Sequence, residues 1–168
     1  LGCSNNNLSS LDVSNCSALK RLECNNNHLT TLDAGNCVDL ELLNCYYNQI
    51  TTLNIEKCSA LKRLNCWNNQ IAYLPDYSMS QLEYLQCRNN VLTELNVSGS
   101  AQLRDLNCAD NQLKVLDVRN CTGLNLLYCF NNQLTDLDIS NCAEINRLSC
   151  DSNQLTSLDV SKCTGLTL

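Results

Sequence analysis

Leu61-Lys62-Arg63-Leu64-Asn65-Cys66-Trp67-Asn68-Asn69-Gln70-Ile71 carries the pattern that decides the fold. Leu64 and Cys66 alternate with Asn65 and Trp67, and a period of two is that of a strand with one face buried. Displaced by 21 residues the pattern returns as Leu85-Gln86-Cys87-Arg88, and then again along the whole chain. Eight cysteines keep the beat without a slip: Cys3, Cys24, Cys45, Cys66, Cys87, Cys108, Cys129 and Cys150. Three residues after each comes Asn, from Asn6 to Asn153, and eight after comes Leu, from Leu11 to Leu158. The 168 residues are therefore eight units of 21, and residues 1–168 read as one repeat domain, a solenoid.

Twenty-one residues leave no room for a strand, a full helix and two turns, so the return path must be short. Leu116-Asp117-Val118 alternates again and reads as a brief second strand. Ser140 to Ile145 fits a single helical turn capped by Ser140, with Cys142 and Ile145 inward. Stacking at about 4.8 Å predicts a parallel eight-stranded sheet roughly 34 Å long, with little or no α-helix. No unit buries its apolar side alone; its neighbours complete the core.

The unit L-x-x-L-x-C-x-x-N-x-L-x-x-L-D-x-S-x-C resembles the leucine-rich repeats, with Cys at the third Leu of L-x-x-L-x-L-x-x-N-x-L. Its 21-residue form is similar to the bacterial class of Listeria, Treponema and Bacteroides surface proteins, and especially to the internalin-type member with a cysteine ladder. This resemblance covers all eight units. It implies a right-handed coil whose concave strand face binds proteins, and it implies export to the bacterial cell surface. The family's terminal caps and wall anchor are not among these residues, and a start at Leu1 suggests a piece of something longer.

Composition narrows the function classes. Eleven basic against seventeen acidic residues leave a formal charge of −6, which argues against nucleic acid and anionic membranes as partners. No apolar run approaches the roughly 18 residues of a membrane span, and no signal peptide opens the chain. Fourteen Cys would suit a disulfide scaffold, but strands about 4.8 Å apart hold stacked side chains beyond usual disulfide reach, so buried free thiols are expected. The second series, Cys16, Cys37, Cys58, Met79, Ser100, Cys121, Cys142 and Cys163, contains two runs of three, and pairing within a run would strand a thiol. There is no C-x-x-C spacing for zinc, and the lone His28 has no nucleophile constellation, so no metal, cofactor or enzyme activity is expected. The Asn column reads as turn and inter-coil hydrogen bonding. Asp12, Asp33, Asp117, Asp138 and Asp159, with Asn54 and Asn96 standing in, read as turn formers.

Function should then lie in the outward strand columns at −3, −1 and +1 from each first cysteine. Tyr46, Trp67, Tyr84, Tyr128 and Phe130 fall there, with Tyr47 adjoining, as do Arg21, Arg63, Arg88 and Arg147. Trp, Tyr and Arg are enriched at binding hot spots. The candidate ligand-binding residues are Tyr46, Tyr47, Arg63, Trp67, Tyr84, Arg88, Tyr128, Phe130 and Arg147, in two clusters with a flat saddle at Asn107 and Ala109 between. The partner expected is a protein or glycoprotein. End-to-end self-association as a stacking solenoid or spacer is the competing reading, and sugar or ice binding, the latter through Thr30, Thr51, Thr93, Thr135 and Thr156, are minor ones. In the fourth unit Tyr73 to Met79 breaks the return pattern, and Pro75 should end any second strand there.

Overall fold

A computed structural model describes residues 1–75 and 79–167. Strands β1 (Arg21–Glu23), β3 (Leu42–Asn44), β5 (Arg63–Asn65), β6 (Tyr84–Gln86), β8 (Asp105–Asn107), β10 (Leu126–Tyr128) and β11 (Arg147–Ser149) form one seven-stranded sheet. All pairs are parallel and in register at 21 residues, for example Leu43 beside Leu64 and Leu64 beside Leu85. The first unit contributes a single bridge, Gly2 to Glu23, where an eighth strand was expected. Pairing continues past each strand end, since the Cys24 N–H donates to Asn44 O and the Cys66 N–H to Gln86 O.

The extended run that carries each strand ends in a left-handed turn. Two residues past each cysteine the chain turns left-handed, at φ between 52° and 58°, in Asn5, Asn26, Tyr47, Asn68, Asn89, Asp110, Asn131 and Ser152. Asn and Asp tolerate that region best among residues with a side chain, which explains most of this column.

On the return side, β2 (Thr31–Asp33) pairs with β4 (Thr52–Asn54), and β7 (Glu94–Asn96) with β9 (Val115–Asp117). The two short sheets are separated at the fourth unit, where Tyr73 to Pro75 forms no strand, as the proline predicts. Asp76, Tyr77 and Ser78 of that run lie outside the described residues. The expected helical turn is instead a pair of tight turns sharing a cysteine: the Cys142 N–H donates to Ile139 O and the Ile145 N–H to Cys142 O. Nor does Ser140 cap it. Asp138 Oδ1 accepts both the Ser140 N–H and its hydroxyl, because an Asx turn already satisfies that end.

Leu and Cys fill the interior. Cys24, Cys45, Cys66, Cys87, Cys108 and Cys129 are wholly buried, as are Leu22, Leu43, Leu64, Leu85, Leu106 and Leu127. All fourteen cysteines are free thiols. In the second series the thiols of Cys58 and Cys121 donate to Ala34 O and Val97 O at 3.2 and 3.3 Å, and Ser100 Oγ donates to Met79 O at 2.7 Å. Cys16 of the first unit is exposed.

Candidate functional site

The outward side of the seven-stranded sheet is built on columns that the register stacks directly. Tyr46, Trp67, Arg88, Ala109 and Phe130 occupy one such column, immediately after the buried cysteines. Trp67 stacks on Tyr46 with ring centres 4.9 Å apart and planes 12° from parallel. Tyr47 meets Trp67 edge-on at 4.5 Å and 62°, and Tyr46 at 6.0 Å and 66°. These rings are on the outer face as expected, but they are packed on one another: Tyr46 and Trp67 are half-buried, and Tyr47 is 48% exposed. Neighbouring strands about 4.8 Å apart bring such rings within stacking distance.

Tyr47 has a second peculiarity. It sits at φ 52°, in the left-handed column where every other unit carries Asn, Asp or Ser. For a bulky residue that conformation costs about 1–2 kcal/mol. Strain of this kind is retained where the surroundings make use of it.

Arginines extend the surface. The Arg63 guanidinium lies over Tyr84, 4.4 Å from the ring centre. Arg88 reaches two units along, to 5.2 Å from the Phe130 ring, while its Nε donates to Asp110 Oδ2 at 2.6 Å. This bridge corrects one expectation. Ala109 is wholly buried, so the flat saddle is roofed and the two clusters are joined. A guanidinium on a long stem spans what the sequence places 42 residues apart. Tyr128 is half-buried in β10 and Arg147 exposed in β11; neither joins the ring contacts.

Two acids, absent from the site expected on sequence, shape its electrostatics. Asp105 stands in register between Tyr84 and Leu126, and burial there pushes its carboxyl up although Gln86 Nε2 donates to it at 2.9 Å. Burial acts in the same direction on Asp110, but hydrogen bonds from Asn131 and Arg88 outweigh it and hold that carboxyl down. The sequence signal for Asp110 is its place two residues past Cys108, in a column that is mostly Asn, and that for Asp105 is its place in the outward −3 column with Arg63 and Tyr84. A notch of about 420 Å³ opens beside the ring cluster, lined by Tyr47, Trp67, Asn68, Arg88, Asn89 and Asp110. Among the described residues no cluster of three His, Cys, Asp or Glu could hold a metal ion, and no helix is long and apolar enough to cross a membrane.

Stacked parallel strands, a buried cysteine column and an asparagine column together define a leucine-rich-repeat solenoid with a cysteine ladder. The chain is similar to the functional domain of InlJ from Listeria monocytogenes, which includes a cysteine ladder. That likeness is 37% identity and a TM-score of 0.95, over 99% of this chain and 37% of that one. An internalin, InlF, from the same species is 26% identical with a TM-score of 0.81, over 95% of this chain and 50% of that one. The leucine-rich-repeat ectodomain of an Arabidopsis thaliana membrane receptor kinase, in complex with Casparian strip integrity factor 2, shares the fold alone. It is 22% identical with a TM-score of 0.64, over 92% of this chain and 24% of that one. The chain thus spans between 37% and 50% of the Listeria structures it matches. No protein-family model and no curated protein matches it.

Proposed function

We propose that the chain is a non-enzymatic recognition module that holds a protein or glycoprotein ligand on the outer face of its seven-stranded sheet, at a bacterial cell surface or outside the cell. The observation that carries this reading is the cluster of Tyr46, Trp67 and Tyr47. Its rings pack on each other and not into the core, and one of them occupies a left-handed position suited to Asn. Folding has no use for that arrangement, since the Leu and Cys columns already fill the interior. Rigid aromatics offer large contact area at low entropic cost, and Arg63 and Arg88, each seated on a ring, are preorganised in the same way. Likeness to the Listeria internalin structures supports the surface location.

The test is selection from a displayed library of extracellular protein domains. Domains that bind the intact chain are expected to lose about 2 kcal/mol or more, roughly thirtyfold, against Trp67→Ala or Phe130→Ala. Both variants should melt close to the parent temperature because neither ring supports the core. Tyr47→Asn should fold while weakening the same binders. Enriched domains that bind all three variants as tightly as the parent would refute the placement.

A further inference from the structure

We propose that the notch between Trp67 and Arg88 is a subsite for a neutral pyranose, so that the ligand of this face is recognised partly through a glycan. This rests on the strand face being the docking surface, and it names part of the chemistry the face accepts.

The notch exists because of where Arg88 goes. An arginine beside a ring on an adjacent strand can lie over it, as Arg63 does over Tyr84 at 4.4 Å. Arg88 instead turns away from Trp67 toward Asp110 and Phe130, held by the 2.6 Å ion pair. Tyr46 covers Trp67 from the preceding unit, and the space on the Arg88 side stays open. Its volume of about 420 Å³ falls within the range of small-ligand sites.

The lining has two characters. Trp67 and Tyr47 make it aromatic; Arg88, Asp110, Asn68 and Asn89 make it polar. Asn89 Nδ2 donates to Asn68 Oδ1, so the amides are oriented in advance. Arg88 and Asp110 cancel, and a charged ligand finds no uncompensated partner. An aliphatic side chain would cover the amides and carboxylate while returning no hydrogen bond. A pyranose answers both characters. Its C–H face lies against the electron-rich indole, and its hydroxyls donate to Asp110 and accept from the Asn amides.

Trp67 is the only tryptophan in the chain, so its fluorescence reports the notch directly. The probes are the methyl glycosides of glucose, galactose, mannose and N-acetylglucosamine, each titrated with parallel saturation-transfer NMR. At least one is expected to give a saturable change at millimolar affinity, with transfer to its ring C–H protons. Arg88→Leu should weaken that glycoside about tenfold or more, whereas Arg119→Leu on the return side should leave it unchanged. No saturable response from any glycoside up to about 50 mM would overturn the proposal. So would binding of N-acetyltyrosinamide in the notch with no glycoside response, which assigns it to a protein side chain. Displayed domains that lose affinity for Trp67→Ala while all glycosides fail would retain the docking face and eliminate the pyranose alone.

Discussion

At the scale of the residue, the cysteine column shows how one small side chain can satisfy a packed interior. Each first cysteine sits where its neighbours above and below are also cysteines, about 4.8 Å away, and a thiol there acts as a compact hydrophobe. Burial pushes the thiols up, to about 12 in Cys24, Cys66 and Cys129, and well above 9.0 in Cys45, Cys87 and Cys108. Thiolate is the reactive form, so these groups should be inert at neutral pH. With an aromatic disulfide reagent at pH 8, Cys16 is expected to react first and the half-buried Cys3 and Cys150 more slowly, with the remaining eleven protected. All fourteen should titrate in denaturant without reductant. Rapid native reaction of many more than three, or a denatured count well below fourteen, would contradict buried free thiols. The inward direction of these residues is legible from the period alone. The ring contacts of Tyr46, Tyr47 and Trp67, and the reach of Arg88, are not, because rotamers answer to neighbours that only the folded coil supplies.

The recurring element is a three-residue strand, a left-handed turn and an asparagine that joins two coils. Asn90 shows the arrangement: its Nδ2 donates to Cys66 O and Cys87 O at 3.1 and 3.0 Å, and its Oδ1 accepts the Ile71 N–H at 2.9 Å. Buried backbone groups of adjacent units are thereby satisfied by one side chain. Asn90→Ala leaves those groups without it and is expected to cost about 3 kcal/mol, read as a lower urea midpoint. Asn6, exposed, donates only within its own unit, to Cys3 O and Ser4 O, and Asn6→Ala should cost under about 1 kcal/mol. Equal losses at both positions would show that inter-coil bonding is not what the column supplies. Spacing was enough to assign the column, since an Asn at every strand end has few other uses. It was not enough to tell a helical turn from two tight turns at Ser140 to Ile145, because both place Cys142 and Ile145 inward.

For the whole molecule, stability is a sum over neighbouring coils, and the acidic charge is distributed with it. Most of the recurrent aspartates lie on the return side as turn formers. The Ser14 N–H on Asp12, the Arg119 side chain on Asp117, the Ser140 hydroxyl on Asp138 and the Ser161 N–H on Asp159 hold these carboxyls below their usual range. A depressed carboxyl contributes stability that is present above its unfolded value of about 3.9 and is lost as pH falls through its folded value. The melting temperature should therefore hold between about pH 7 and 5 and fall below about pH 4. Asp138→Asn, which keeps the Oδ1 acceptor but cannot titrate, should flatten that fall. A melting temperature that rises on acidification below pH 4 would mean that repulsion among the negative charges dominates. Asp105 runs the other way, being raised by burial, and its penalty sets in as pH rises past the unfolded value.

An uninterrupted 21-residue beat by itself determined the stacked coils, the parallel register, the buried Leu and Cys columns and the outward placement of the aromatics. Those features depend on side-chain direction and spacing, which a repeat states once and then reiterates. Only the tertiary structure decided that Arg88 bridges to Phe130, that Tyr47 stands in a left-handed turn, and that a notch opens beside Trp67. Each depends on contacts between units whose outward residues differ. Periodicity carries no information about which of two directions a long side chain takes across a surface; the nearest charge and ring do.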